Sequence, residues 1–531
     1  MLNARVYDLA IESPLQYAFN LSQMVGNQVW LKREDLQPVF SFKVRGAYNK
    51  LIHLSREQMQ TGVVACSAGN HAQGVALSAS KLGIPATIVM PLATPEIKAS
   101  SRRGRDEKGS RGSDPRPPLP RLLVLCRRQV QAVRRFGGPT VNVVLHGSSY
   151  DEAAAEAKRL VEQEGRMLIH PFDDDLVIAG QGTVALEMLK QTTSSELDAI
   201  FVCCGGGGLL AGVAAYVKQV RPSVKVIGVE AEDAAGMTAS LNAGRVVTLE
   251  HVGLFADGAA VRTIGNETFR VCNALVDDMV TVSTDGICEA IKAAFNDTRS
   301  VLEPAGALGI AGMRKYLREN GVVGSNVIAI TSGANMDFNR LRFVSERSDS
   351  REVLMAVRIP ERPGAFREFY SHILPRNVTG FTYRFHTDAH ADVIVSFQAH
   401  VDASRSEDVA AVSATLRARG YTVSSLSDNE MAKVHVRHLA GGRAPQVQNE
   451  RLYRFEFPEA PGALSKFLGA LNQGWNVSLF HYRNQGDDFG RVLVGVQVAP
   501  EQEGAFQRFL SELGYTYYRE TDNPLFSQFL K

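Results

Sequence analysis

Lys43 stands in Ser41-Phe42-Lys43-Val44-Arg45-Gly46-Ala47, among small and apolar neighbours. An amine desolvated in that way has its pKa lowered, which favours the free, nucleophilic form. Gly205-Gly206-Gly207-Gly208-Leu209 offers a complementary chemistry. Four residues without Cβ let the backbone wrap closely round an anion, and a following helix adds unpaired N–H groups and a positive dipole end. A third run, Ser67-Ala68-Gly69-Asn70-His71-Ala72-Gln73-Gly74, presents small and polar residues suited to a carboxylate. An amine that condenses with an aldehyde, beside a phosphate cradle, is what pyridoxal phosphate asks of a protein.

Each run sits between two elements. Asp198-Ala199-Ile200-Phe201-Val202-Cys203-Cys204 reads as a buried parallel strand and Leu209 to Val217 as a helix, so the glycines fall at a strand-to-helix turn. Lys43 lies between the strand that starts at Trp30 and a helix opening at Arg45, a junction where α/β enzymes place active groups. Ser67 to Gly74 follows the strand Gly62 to Cys66 and precedes a helix to Leu82. A further junction, Thr331-Ser332-Gly333-Ala334-Asn335, ends the strand that starts at Val327. Taken singly, each has a plainer reading. The glycines make a tight turn, Lys43 is a solvated charge, Ser67 is a helix N-cap, and Thr331 to Asn335 is a turn.

Together, and in this order, the four runs resemble the fold-type-II pyridoxal-phosphate enzymes. Among these the resemblance is to biosynthetic threonine deaminase (threonine dehydratase). Leu31-Lys32-Arg33-Glu34-Asp35-Leu36-Gln37-Pro38, Phe255-Ala256-Asp257-Gly258-Ala259-Ala260-Val261 and Leu302-Glu303-Pro304-Ala305-Gly306-Ala307 carry the likeness further. It implies conversion of L-threonine to 2-oxobutanoate and ammonia, with L-serine as a second substrate. It also implies that Lys43 is the catalytic residue, holding the cofactor and removing the substrate Cα proton, with Phe42 beside it. Gly205, Gly206, Gly207, Gly208 and the Leu209 N–H would hold the phosphate. Asn70 would hydrogen-bond the ring oxygen and Ser332 would face the pyridine nitrogen, while Ser67, Ala68, Gly69 and His71 line the carboxylate site. A neutral hydroxyl at Ser332 makes a weaker electron sink than an aspartate would, which favours prompt β-elimination over transamination.

The 531 residues suggest about three domains. Hydrophobic residues make up 45% and charged residues 21%, as in ordinary globular proteins, and the net charge of +2 makes no case for nucleic acid or an acidic membrane. No apolar run approaches the roughly 20 residues of a membrane span, and the N-terminus lacks a signal-peptide pattern. Six cysteines, at 66, 126, 203, 204, 272 and 288, have no metal-ligand spacing and read as buried reduced thiols. A cytoplasmic enzyme without a metal is expected.

Residues 1–342 alternate strands and helices, predicting an α/β catalytic domain of parallel sheets with helices on both faces. The remainder contains a repeat. Val357 to Phe369 aligns with Phe455 to Phe467, about 98 residues apart, each a strand, a Pro-Gly turn and the start of an amphipathic helix. This predicts two small α+β modules, 352–440 and 451–531, resembling the paired ACT-like regulatory modules of the same family. That resemblance implies a homotetramer with isoleucine as inhibitor and valine as its antagonist. Residues 99–129, rich in Arg, Pro, Gly and Ser, read as an insertion into the first turns of a helix that otherwise joins Thr94-Pro95-Glu96-Ile97-Lys98 to Val130 onward. Such a segment reads either as a translated non-coding stretch, a gene-model artefact, or as a functional basic arm. Two rivals remain for the chain: a serine dehydratase or racemase of the same fold, and a catalytically impaired amino-acid sensor.

Overall fold

The computed structural model describes residues 1–92, 122–147, 150–192, 197–338, 340–349, 351–384, 389–400, 404–429, 444, 446–458, 463–471, 475–483 and 489–523. The chain divides into two compact units, Met1–Ser348 and Asp349–Lys531. Of the segment set apart in the sequence, residues 99–121 lie outside the described ones, as does the helix start at Thr94, and 122–129 form the first half of a helix that ends at Gly137.

In the first unit the strands are β1 (Leu15–Tyr17), β2 (Gln28–Arg33), β3 (Val63–Cys66), β4 (Ala86–Met90), β5 (Val141–Leu145), β6 (Met167–Leu168), β7 (Ala199–Cys203), β8 (Lys225–Ala231), β9 (Asp278–Val282) and β10 (Asn326–Thr331). They form a six-stranded sheet in the order β1-β2-β10-β7-β8-β9 and a four-stranded sheet in the order β5-β4-β3-β6. All pairings are parallel except β1 with β2. Every residue of β3, β4, β7 and β10 is buried, which requires cover on both faces and explains why these segments read as unbroken apolar runs.

The helices that matter for the site are α1 (Lys43–Ile52), α2 (Asn70–Leu82), α3 (Leu122–Gly137), α4 (Asp175–Gln191), α5 (Gly208–Val220), α6 (Pro304–Glu319) and α7 (Arg340–Arg347). Because α7 runs on to Arg347, the first unit continues past residue 342. α2, α5 and α6 follow β3, β7 and the chain after β9, so their N-termini gather at the carboxyl ends of the strands, where open α/β sheets bind ligands.

The second unit is one eight-stranded sheet built from a repeated β-α-β-β-α-β unit. The first copy is β11 (Glu352–Pro360), α8 (Ala365–Ile373), β12 (Val378–Arg384), β13 (His390–Gln398), α9 (Arg405–Ala418) and β14 (Thr422–Ser425). The second is β15 (Glu450–Pro458), α10 (Ala463–Ala470), β16 (Asn476–Arg483), β17 (Phe489–Gln497), α11 (Glu503–Leu513) and β18 (Thr516–Arg519). The order β14-β11-β13-β12-β16-β17-β15-β18 is the same arrangement twice, joined edge to edge by the antiparallel pair β12–β16. The strand, turn and helix of the first copy match the sequence expectation, with Gly364 at φ +85° leading into α8. The corresponding second turn, at 459–462, lies outside the described residues. Each unit has its own core, and that of the second is rich in aromatics such as Phe366, Phe369, Phe381, Phe467 and Phe480.

Candidate active site

Lys43 opens α1, and the chain before it is tied to the turn after β10. The Phe42 N–H donates to the Ser332 carbonyl at 3.2 Å, Ser41 bridges Gly333, and the Ala334 N–H donates to the Phe40 carbonyl. Two junctions some 290 positions apart in the chain therefore meet at Lys43 and Ser332. The Lys43 Nζ donates to the Pro171 carbonyl at 2.9 Å and lies 5.2 Å from the centre of the Phe42 ring. Burial brings its pKa down to about 8, against the opposing pull of Cys203 and Glu303. The free amine is thus accessible near neutral pH.

Across from Lys43, the four glycines pack too tightly for any side chain. A Cβ on Gly206 would lie 2.2 Å from the Phe172 ring, on Gly205 2.9 Å from the Ala259 Cα, and on Gly208 3.0 Å from the Phe172 Cα. Gly207, with φ +93°, takes the left-handed turn into α5 that glycine adopts without strain. The Gly206 carbonyl accepts from the Thr268 Oγ1 at 2.7 Å, which pins the loop. The first intrahelical bond of α5 is from the Ala211 N–H to the Gly207 carbonyl. The N–H groups of Gly208, Leu209 and Leu210 precede it, as at any helix start, and Leu209 itself is buried.

Ser67, Ala68, Gly69 and Asn70 form the turn between β3 and α2, and all four are half-buried. The Ser67 Oγ accepts from the Gly69 N–H at 3.3 Å, and α2 makes its first bond from the Gln73 N–H to the Gly69 carbonyl. His71 differs from its neighbours. Its ring is buried and meets the Ile169 carbonyl at 2.8 Å, and burial, with Lys43 nearby, drives its pKa to about 3. It is neutral, and what it can offer a ligand is its main-chain N–H.

The Ser332 Oγ donates to the Ala305 carbonyl at 3.3 Å and also meets the Cys203 thiol, whose pKa burial raises. The Asn70 Nδ2 donates to the Glu303 Oε1 at 2.5 Å, and the Asn335 Nδ2 donates to the Asn70 Oδ1 at 2.6 Å. Lys43, Ser332, Cys203, Asn70, Glu303 and Asn335 are thus brought together at the strand ends.

The structure adds Glu303, Asn335, Pro171 and Phe172. Glu303 and Asn335 stand in quoted motifs, but no pattern marks which way their side chains turn. Pro171 and Phe172 carry no signal, since their part depends on a chain crossing from β6 to α4. Among the described residues no cluster could hold a metal ion, and no helix is long and apolar enough to cross a membrane.

The fit to pyridoxal phosphate rests on observed features. There is a glycine turn at a helix N-terminus, packed so closely on Phe172 and Ala259 that no Cβ fits without a shift, a lysine with a lowered pKa, and a buried Ser41 Oγ with no hydrogen-bond partner among the described residues. A parallel-sheet fold with these groups at its strand ends defines a pyridoxal-phosphate-dependent α/β enzyme. Residues 6–333 match the model of the pyridoxal-phosphate dependent enzymes, and residues 344–436 and 441–530 each match the C-terminal regulatory domain of threonine dehydratase. The chain belongs to the first of these families and carries the second as its C-terminal part.

It is 49% identical to the biosynthetic L-threonine dehydratase of Burkholderia multivorans, over all of this chain and 98% of the relative. It is 47% identical to the mitochondrial threonine dehydratase of Saccharomyces cerevisiae, over all of this chain and 88% of that one. Among solved structures, the processed form of threonine deaminase isoform 2 from Solanum lycopersicum is 45% identical, with a TM-score of 0.58 over 65% of this chain and 86% of its own.

Proposed function

We propose that this chain is a biosynthetic threonine dehydratase, converting L-threonine to 2-oxobutanoate and ammonia in the first step of isoleucine synthesis. The observation that carries the site assignment is the meeting of Lys43, Ser332 and the glycine cradle in one crevice. Full-length similarity to enzymes of that name supports the choice of substrate.

In this reading the Lys43 Nζ would hold the cofactor and would take the proton at the substrate Cα. Bound pyridoxal phosphate supplies an electron sink for the negative charge left at that carbon. Gly205 to Gly208 and the Leu209 N–H would hold the phosphate at the α5 N-terminus. Ser67, Ala68, Gly69 and the main chain of His71 orient the substrate carboxylate at the α2 N-terminus. Asn70 would face the ring oxygen, Ser332 would face the pyridine nitrogen, and Phe42 lies beside the lysine. L-Serine, one methyl smaller, fits the same chemistry. A homotetramer and a cytoplasmic location follow from the family resemblance alone.

Isoleucine as inhibitor and valine as its antagonist are assigned to the second unit. Support comes from a cavity of about 190 Å³ between the β11–α8 turn and the α10–β16 side of the second copy. Glu361 there accepts from the Tyr383 hydroxyl at 2.7 Å and the Asn476 Nδ2 at 2.8 Å, beside Leu468, Leu471 and Trp475. A carboxylate next to apolar walls suits the ammonium and branched side chain of such a ligand. The Trp475 Nε1, buried with no hydrogen-bond partner, is a spare donor.

The test is Lys43→Ala in the full chain, followed by the visible absorbance of the bound cofactor and by 2-oxo acid release from threonine and serine. Loss of both the lysine-linked band and turnover is expected, with the parent favouring threonine. A retained band would refute the role of Lys43, and a parent that turns over only serine would favour the serine dehydratase reading.

A further inference from the structure

Glu303 precedes α6, where an acidic side chain ordinarily folds back onto the helix's own first N–H groups. Here it makes no such capping bond, and the next residue, Pro304, has no N–H to offer. The carboxyl instead reaches across the crevice to Asn70. Room for it is made by glycine. A Cβ on Gly333 would lie 2.4 Å from the Glu303 Oε1, and one on Gly258 would lie 3.5 Å away. Its own N–H donates to the Gly333 carbonyl at 3.2 Å, which locks the residue in place.

Asn70 is held from both ends. The Asn335 Nδ2 donates to the Val39 carbonyl at 2.9 Å and to the Asn70 Oδ1 at 2.6 Å. Rotating the Asn70 amide by half a turn would set donor against donor at Asn335 and acceptor against acceptor at Glu303. The network therefore fixes which end is nitrogen. One Nδ2 hydrogen goes to Glu303, which leaves the second for another acceptor.

We propose that Glu303 is a positioning residue: as a carboxylate it works with Asn335 to hold the Asn70 amide with its second N–H toward the cofactor, and protonation of Glu303 weakens that hold to a neutral hydrogen bond. This rests on the assignment of Asn70 to the cofactor ring. The groups facing Glu303 are Asn70 on α2, Lys43 on α1, the Cys203 thiol at the end of β7, Asp257 in the 257–259 turn, the main chain of Asn335, and Arg340 on α7. Burial, then the charge of Asp257, raises the carboxyl to about 7, with Asn70, Asn335 and Arg340 opposing. The carboxylate form, and with it the charge-assisted hold on Asn70, is present above about pH 7 and is lost below it.

The experiment compares parent, Glu303→Gln, Glu303→Ala and Asn335→Ser as full-length holoenzymes, with Lys43→Ala as reference. Cofactor absorbance and kcat/KM are followed from about pH 6 to about pH 9, a range that brackets the titration. The parent should show a transition near neutrality in both. Glu303→Gln can still accept from Asn70 but without charge and without titrating, so the transition should vanish and kcat/KM should stay near the parent's low-pH value across the range. Glu303→Ala and Asn335→Ser should lose about 10- to 100-fold in kcat/KM, as loss of a supporting partner typically does. Asn335→Ser should keep the pH transition.

A Glu303→Gln enzyme that titrates like the parent, or an Asn335→Ser enzyme that matches it, would overturn the inference even if Glu303→Ala fails to fold. Loss of the lysine-linked band in Lys43→Ala alongside an unaltered Glu303→Gln would refute the inference alone. A band retained in Lys43→Ala would refute the site assignment beneath it.

Discussion

At Gly206 a single Cβ would meet three atoms of the Phe172 ring, the closest at 2.2 Å. Phe172 is not free to swing away at no cost. Its ring packs edge-on against His170, 4.7 Å between centres, and the adjoining Pro171 carbonyl is the acceptor for the Lys43 Nζ. Gly206→Val should therefore distort the phosphate cradle and the lysine's anchor together. We expect cofactor affinity to fall by about tenfold or more, the loss of one or two charge-assisted hydrogen bonds. Overpacking itself should cost about 1–3 kcal/mol of stability. Cofactor titration beside a thermal melt separates the two, and unchanged affinity would make the glycine run only a turn. Residue types were enough to single out Lys43, the glycines and Ser67 to Asn70 as candidates, because amine, glycine run and strand–helix junction each leave a local mark. They were not enough to show that the His71 ring turns to Ile169 or that Glu303 reaches Asn70, since both depend on chain brought in from far away.

At the scale of the element, the question is what holds α1 so that its first residue points into the crevice. Beneath it lies a charge network with no side-chain exposure: Lys32 and Glu34 from β2 and the turn after it, Arg45 from α1, and Glu187 from α4. The Arg45 guanidinium donates to Glu34 at 2.7 Å through both Nε and Nη2 and to Glu187 at 2.5 Å through Nη1, while the Lys32 Nζ donates to Glu187 at 2.6 Å. Burial opposes the Arg45 charge, yet the two carboxylates outweigh it and hold the guanidinium above its usual range. The network closes by hydrogen bonds to the Ser13 carbonyl, the Gln37 and Gln191 side chains and the Thr183 hydroxyl. Replacing Arg45 by Met would leave two carboxylates buried against one lysine. Breaking such a set should cost about 3–5 kcal/mol. Urea unfolding of Arg45→Met should show that loss, and a change below about 1 kcal/mol would mean that α1 is anchored by packing alone. In the sequence, Lys32-Arg33-Glu34-Asp35 reads as a strand running out into charge, and charged residues are seldom buried. Glu187, which makes the burial tolerable, is 142 residues from Arg45, and no local pattern pairs them.

At the scale of the molecule, two units with separate cores carry two kinds of chemistry. The first gathers its candidate site where helix N-termini meet strand ends. The second has a cavity between its two copies of one repeat. The repeat was visible at Val357 and Phe455 because the strand, the Pro-Gly turn and the apolar helix face recur in register. That the copies join through β12 and β16 into one sheet was not, because strand edges leave no composition of their own. A chain ending at Ser348 keeps α7 and the whole of the first core, so it should retain cofactor and threonine turnover if it remains soluble. It should lose every response to isoleucine and valine. In the full chain, isoleucine should inhibit and valine should reverse the inhibition. Replacing Trp475 by Phe, which keeps the apolar wall but removes the spare Nε1 donor, should raise the isoleucine concentration needed for inhibition by about tenfold, the worth of one hydrogen bond left unmade in a buried site. Basal turnover in that variant should be unchanged, since Trp475 belongs to the second core. Initial rates across an isoleucine titration, with and without valine, measure both. Equal inhibition of the full and the shortened chain would place the effector site in the first unit, and full sensitivity in Trp475→Phe would remove the indole from it.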